Sequence, residues 1–150
     1  MNRFVDVLLV DDETDFLKSL VEGFAYRADQ FNVITADSAH KALDFLRTVK
    51  VDVVVVDLNM PGMDGFELLR RLQRLRQSHH GTRVIIMSAY DQATVKHQLK
   101  ERRYARYVEK PLRLGDLAQA ILKTAHGCSG PVQHHAENRI VDVNRGCDAG

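Results

Sequence analysis

Short runs of aliphatic and β-branched residues alternate along the chain with longer segments whose apolar residues recur every three or four positions. The runs predict strands and the segments predict helices, because these are the periods of the two structures. The predicted strands are residues 4–10, 32–36, 51–56, 83–87 and 104–108. The predicted helices are residues 16–24, 39–46, 66–75, 93–99 and 114–122, the fourth with a thin apolar stripe. Ser38 is the expected N-cap of the second helix.

This alternation predicts an α/β fold. The near-continuous valines of residues 51–56 suit a strand buried on both faces, as in a parallel sheet. Strand–helix units in succession predict a three-layer, flavodoxin-like (βα)5 domain with strand order 2-1-3-4-5 over residues 3–125. The pattern stops near residue 125. Residues 126–150 are expected to be a disordered tail, an interaction segment or a truncated linker.

Chemically distinct side chains follow the predicted strands. Asp11 and Asp12 come after strand one, Asp57 ends strand three, and Ser88 follows strand four. Lys110 closely follows strand five. Strands one and three are neighbours in the predicted order, so their carboxylates are expected to meet in one crevice at the carboxyl edge of the sheet.

A crevice with three carboxylates needs positive charge. Two carboxylates 4 Å apart repel each other by roughly 4 kcal/mol at an effective dielectric of about 20. Hard oxygen ligands select Mg²⁺, and Lys110 adds a second cation. Asp57 can act as a nucleophile that forms an acyl phosphate, with Ser88 donating a hydrogen bond to the transferred group. These groups together predict a phosphoryl-transfer site.

Composition and net charge limit the classes of partner that we expect. The chain has 150 residues, 27% charged and 45% hydrophobic, with a formal net charge of +1. This charge gives no reason to expect nucleic acid or a membrane as the main partner. We expect no signal peptide and no membrane span, and a reducing, cytoplasmic location. Cys128 and Cys147 both lie near the C-terminus, so no disulfide framework is implied.

These motifs together resemble a known family. Over roughly residues 3–125 the chain is similar to receiver domains of two-component response regulators, of the chemotaxis-regulator type. The residues that carry the resemblance are Asp11-Asp12, Asp57 followed by Met60-Pro61-Gly62-Met63-Asp64-Gly65, Ser88-Ala89 and Lys110-Pro111. The resemblance implies a phosphoryl acceptor that catalyses only its own phosphorylation and dephosphorylation. Its expected donor is a sensor histidine kinase or a phosphotransfer protein.

The resemblance also implies roles for single residues. Asp12 and Asp57 would bind Mg²⁺ directly, with the backbone carbonyl of Asn59 as a third ligand and Asp11 acting through water. Lys110 would hold an oxygen of the acyl phosphate. Ser88 would move to bond the phosphoryl group.

Further residues would transmit the change. Tyr107 matches the aromatic switch position, whose ring turns inward as Ser88 moves; the alternative is an ordinary half-buried strand residue. Asn59 and Tyr90 occupy positions that tune hydrolysis of the acyl phosphate. The face formed by helix four, strand five and helix five would then gain or lose an unknown output protein partner. Association of two copies through this face stays open.

Basic residues mark that output face. Lys96, Lys100 and Arg103 recur at helical spacing, with Arg102 and Arg106 close by. Our hypothesis is that an acidic partner docks there; the alternative is a solvated face. Most receivers have Gly-Ala where this chain has Arg103-Tyr104, which leaves the local shape of the face open. The second basic group, on or beside helix three, is read as a solvated face and comprises Arg70, Arg71, Arg74 and Arg76.

Several alternatives compete with this interpretation. A magnesium-dependent phosphatase would carry a second Asp where this chain has Asn59. A nucleotide-binding protein would carry a glycine-rich loop after strand one. A degenerate receiver that serves as a constitutive binding module is disfavoured by the complete set of Asp11-Asp12, Asp57, Ser88 and Lys110. Asp57 could cap a turn, and Asp11-Asp12 could cap a helix. A zinc site fits no compact spacing of its candidate ligands, which are His126, Cys128, His134, His135 and Cys147.

Overall fold

Strands and helices alternate along the chain as predicted. The computed structural model describes residues 3–75, 81–100, 104–127 and 140–142. The strands are β1 Val5–Val10, β2 Phe31–Ala36, β3 Val53–Asp57, β4 Arg83–Ser88, β5 Arg106–Glu109 and β6 Ile140–Asp142. The helices are α1 Thr14–Ala25, α2 Ala39–Thr48, α3 Gly65–Leu75, α4 Gln92–Leu99 and α5 Leu114–Ala125.

One sheet carries these strands in the order β2-β1-β3-β4-β5-β6. The strands from β1 to β5 pair in parallel, which confirms the predicted order 2-1-3-4-5. The sixth strand pairs antiparallel with β5 and was not predicted, because its apolar run is very short and lies among polar residues. The predicted boundary at residue 125 stays a prediction.

Two apolar layers cover the sheet. Val54 and Val56 of β3 point to the face covered by α2, α3 and α4, whereas Val53 and Val55 point to the face covered by α1 and α5. All of these valines are fully buried. Burial on both faces explains why strand three is a run of valines and not an alternating pattern.

Capping side chains start three of the helices. The N–H of Lys41 donates to Ser38 Oγ at 3.2 Å, so the predicted cap of α2 is confirmed. Asp64 Oδ1 accepts the N–H of Glu67 at 2.9 Å at the start of α3. Asp91 Oδ1 accepts the N–H of Thr94 at 2.7 Å at the start of α4. Each cap fixes the residue at which a loop at the carboxyl edge of the sheet ends and the next helix begins.

Strand five starts later than predicted. Tyr104 was expected within it, but β5 begins at Arg106. The Tyr104 ring packs edge-to-face on Tyr107, with centroids 6.4 Å apart, and its hydroxyl accepts a hydrogen bond from Gln92 Nε2 at 3.0 Å. Tyr104 therefore holds the start of α4. Among the described helices, none is both long enough and apolar enough to cross a bilayer.

Candidate functional site

Three carboxylates converge at the carboxyl edge of the sheet. Asp11 and Asp12 directly follow β1, and Asp57 is the last residue of the neighbouring strand β3. One ligand oxygen from each lies within 4.8 Å of the others. Asp11 is fully buried and Asp57 is 3% exposed, whereas Asp12 is exposed. The predicted crevice is therefore present, with one carboxylate open to solvent.

Lys110 directly follows the carboxyl end of β5, and its side chain extends into this crevice. Its Nζ lies 2.7 Å from Asp11 Oδ2 and 3.4 Å from Asp57 Oδ2. Its backbone N–H donates to the Ser88 carbonyl at 2.7 Å, which holds it against the end of β4. The ammonium also lies 4.5 Å from the centre of the Phe16 ring on α1. Sequence reasoning placed Phe16 only in the core, and its helical spacing gave no sign of this contact.

Local backbone bonds orient the two buried carboxylates. Asp57 Oδ1 accepts the N–H of Asn59 at 3.0 Å, and Asp11 Oδ1 accepts the N–H of Glu13 at 2.9 Å. In each case the other oxygen, Oδ2, faces Lys110. Each carboxylate therefore caps a turn with Oδ1 and contributes to the site with Oδ2.

Burial shapes the titration of Asp57. Loss of solvation raises the pKa of its carboxyl to about 6. The hydrogen bond from the Asn59 N–H lowers this pKa, the charge of Asp11 raises it, and Lys110 lowers it. Asp57 is therefore mostly ionised at neutral pH, but with a carboxylate that its surroundings stabilise poorly.

The neighbouring carboxylates, and not burial, determine the direction of the pKa shift of Lys110. Burial lowers the pKa of its ammonium, but the hydrogen bond to Asp11 and the charges of Asp57 and Asp11 outweigh that effect, so the net shift is upward. Lys110 therefore stays charged over the pH range in which Asp57 titrates.

Two glycines shape the loop after β3 for different reasons. A Cβ on Gly65 would lie 2.4 Å from the Leu58 Cα and 2.5 Å from the Asp57 carbonyl oxygen, so α3 can begin this close to the loop only with glycine. Gly62 has a φ of 77°, in the left-handed region that favours glycine. Gly65 therefore lets α3 pack directly on the backbone of Asp57 and Leu58, whereas Gly62 lets the loop turn.

The backbone of one residue, Tyr90, joins Ser88 to Tyr107. The N–H of Tyr90 donates to the buried Ser88 Oγ at 3.1 Å, and the Tyr90 carbonyl accepts the Tyr107 hydroxyl at 2.7 Å. The Tyr107 ring is 0% exposed, deeper than the half-buried alternative, and burial raises the pKa of its hydroxyl to about 12. The Tyr90 side chain is 47% exposed. A contact through backbone atoms of Tyr90 has no signature in the sequence.

The structure describes only part of the basic cluster that the sequence analysis places on the output face. Lys96 is exposed on α4, and Lys100 is exposed at its C-terminal end. Arg103 and Arg102 lie outside the described residues. Placing Arg106 with this surface cluster was wrong, because Arg106 is 2% exposed and its Nε donates to Thr124 Oγ1 at 2.9 Å. This arginine packs β5 against α5.

The arginines of α3 form surface ion pairs. Arg70 Nη2 and Arg71 Nε each lie within 3 Å of Glu67 Oε1, at 2.7 Å and 2.9 Å. Their hydrogen bonds lower the pKa of Glu67 to about 2. Arg70, Arg71 and Arg74 are exposed, as a solvated face requires, and Arg76 lies outside the described residues.

A cavity of about 460 Å³ lies between α1 and the loop after β2 and is lined in part by Leu17, Val21 and Lys41. None of the three clustered carboxylates lines it. Of the possible zinc ligands that the sequence analysis rejected, His126 is exposed and the others lie outside the described residues.

Comparison with known proteins identifies the family. The response regulator receiver domain matches residues 7–122. Sporulation initiation phosphotransferase F of Bacillus subtilis (strain 168) is 30% identical over 78% of this chain and 90% of that protein. Sensor histidine kinase GacS of Pseudomonas protegens is 30% identical over 81% of this chain, which spans only 13% of the kinase. A response regulator receiver domain from Francisella superposes with a TM-score of 0.67 at 26% identity, covering 81% of this chain and 97% of that one. The chain therefore belongs to the response regulator receiver domains of two-component signalling.

Proposed function

We propose that this receiver domain accepts a phosphoryl group on Asp57 in the presence of Mg²⁺. The donor would be a phosphohistidine of a sensor kinase or a phosphotransfer protein, the two kinds of protein named among its relatives. The observation that carries the proposal is the convergence of three carboxylates within 4.8 Å beside Lys110.

The donor set fits Mg²⁺. Three carboxylates face one ammonium, so the crevice carries excess negative charge at neutral pH, and carboxylate oxygens are the ligands that Mg²⁺ prefers. Asp12 and Asp57 would hold the ion directly, with the Asn59 carbonyl as a third ligand and Asp11 acting through water. When bound, Mg²⁺ supplies positive charge that offsets the charge of the phosphoryl oxygens.

Asp57 is suited to attack phosphorus. Its pKa of about 6 leaves the carboxylate ionised at neutral pH, so no base has to remove a proton from it. A carboxylate oxygen forms the O–P bond while the N–P bond of the donor breaks, and the imidazole leaves with the electron pair and takes a proton from solvent. Lys110, 3.4 Å from Asp57 Oδ2, remains beside the developing acyl phosphate. The domain turns over no separate substrate and catalyses only its own phosphorylation and dephosphorylation.

The backbone of Tyr90 offers a path from the site to the surface. A phosphoryl group adds acceptor oxygens that draw the Ser88 hydroxyl. Ser88 Oγ accepts the Tyr90 N–H, and the Tyr90 carbonyl holds Tyr107, so a shift of Ser88 changes the support of the Tyr107 ring. The face formed by α4, β5 and α5 would then bind an output partner differently in the two states.

Lys96 and Lys100 give that face its charge. Both are exposed, and with Arg103 they would attract an acidic partner. Lys100→Glu should abolish capture of a partner while phosphorylation proceeds unchanged. Lys50→Glu, at another exposed position, is the matched control. Equal capture by both variants would refute the role of this basic cluster.

The proposal is tested by intact mass spectrometry after incubation with Mg²⁺ and acetyl phosphate. The native chain and the control Asp44→Asn, which alters an exposed carboxylate on α2, should each gain one phosphoryl group. Asp57→Asn, or the native chain with Mg²⁺ chelated, should gain none. A folded native chain that never gains the group would favour a degenerate receiver that binds its partner without modification.

A further inference from the structure

The C-terminal segment covers the outer edge of strand β5. In the register, Val108 lies opposite Ile140, Tyr107 opposite Val141, and Arg106 opposite Asp142. The segment belongs to the part of the chain that follows α5, and the proposed phosphorylation chemistry makes no use of it. A strand at this position changes which surfaces of β5 are open to other proteins.

Among the described residues, no other strand pairs with this edge of β5. The Ala105 N–H donates to the Val84 carbonyl of β4 at 2.7 Å. Since N–H groups alternate sides along a strand, the N–H of Tyr107 also faces β4, while those of Arg106 and Val108 face outward. Without a further strand these outward groups would form an unpaired edge, which invites pairing with another chain.

We propose that residues 140–142 are a built-in strand that closes the β5 edge of the same molecule. Any strand from a second copy or a protein partner must displace this segment before it can add to the sheet at β5. The segment thus competes with strand-adding partners for β5. This inference goes beyond the proposed function and holds whether or not Asp57 is phosphorylated.

The chain has enough length to make this contact within one molecule. Helix α5 ends at Ala125, and β6 begins at Ile140 opposite Val108. An extended chain covers roughly 3.3–3.6 Å per residue, so residues 126–139 can reach much farther than the length of β5, about 13 Å. The intramolecular contact is therefore geometrically accessible.

Amide hydrogen exchange measured residue by residue on the full chain tests the proposal. In the native chain, the Arg106 and Val108 amides should be protected. Ile140→Pro removes the N–H opposite Val108 and should speed exchange of both amides by about tenfold or more. The Tyr107 amide, which faces β4, should keep its protection and serves as the internal control. Gln133→Pro, outside the paired residues, is the matched variant and should leave all three unchanged.

Each outcome of this exchange experiment either supports or overturns the proposal. Unprotected Arg106 and Val108 amides in the native chain would overturn the proposal, and so would unchanged protection in Ile140→Pro. Protection that falls on dilution would show that the strand comes from a second copy, which also overturns closure within one molecule. Protection independent of concentration and lost only in Ile140→Pro is the result that the proposal requires.

Discussion

Asp57→Asn is predicted to stabilise the folded domain at neutral pH. The Asp57 carboxylate is poorly solvated and lies beside Asp11, and its pKa is raised from 3.8 to about 6. The folded state therefore binds a proton at Asp57 more tightly than the unfolded state does. By linkage, the stability contribution of this group is greatest below about pH 4 and is lost as the pH rises through about 6. An amide at position 57 carries no charge and escapes that loss.

The size of the effect follows from the two pKa values. The difference between about 6 and 3.8, at 1.36 kcal/mol per pKa unit, corresponds to about 3 kcal/mol. The crevice opens to solvent at Asp12, so water relieves part of this cost, and we expect a gain of about 1–3 kcal/mol. For a chain of this size that gain raises Tm by roughly 2–12 °C.

Urea unfolding at several pH values, with divalent cations chelated, measures this gain. The difference in unfolding free energy between Asp57→Asn and the native chain should be largest at pH 7 and should vanish near pH 4. Asp44→Asn, on the exposed surface of α2, should show no such pH dependence. A less stable Asp57→Asn at pH 7, or a gain that grows toward low pH, would refute the reasoning.

Three further changes test other parts of the site. Gly65→Ala places a Cβ 2.4 Å from the Leu58 Cα and should cost about 1–3 kcal/mol of unfolding free energy in urea; equal stability would show that the loop can move aside. Tyr107→Phe removes the hydroxyl bonded to the Tyr90 carbonyl and should cost about 1 kcal/mol by the same measurement, whereas no loss would show that the bond is not needed. Tyr90→Glu replaces a half-exposed ring and should speed decay of the acyl phosphate, followed by intact mass over time; unchanged decay would remove Tyr90 from hydrolysis control.

The placement of the site residues could be predicted because it depends on strand ends. In a parallel sheet every carboxyl end lies at one edge, and the order 2-1-3-4-5 makes β1 and β3 neighbours. Asp11 and Asp57 therefore had to approach each other once the strands were recognised, and Lys110 was placed at the same edge of the sheet. Their distances, and the division of each carboxylate between a backbone N–H and Lys110, required the structure.

Features that depend on long-range contacts were missed. Arg106 resembled a surface cation in the sequence, but β5 turns it toward Thr124 of α5. The strand Ile140–Asp142 is too short to give a period, and only pairing with β5 defines it. Phe16 and the Tyr90 carbonyl contribute through atoms or faces that residue type does not reveal.

The most direct test of the account is to identify the residue that carries the phosphoryl group. The phosphorylated chain would be treated with borohydride, which reduces an acyl phosphate of aspartate to homoserine, and its peptides sequenced by tandem mass spectrometry. The account predicts homoserine at position 57 and at no other carboxylate. Homoserine at Asp12, or an unchanged Asp57 in a chain whose intact mass shows the phosphoryl group, would contradict it.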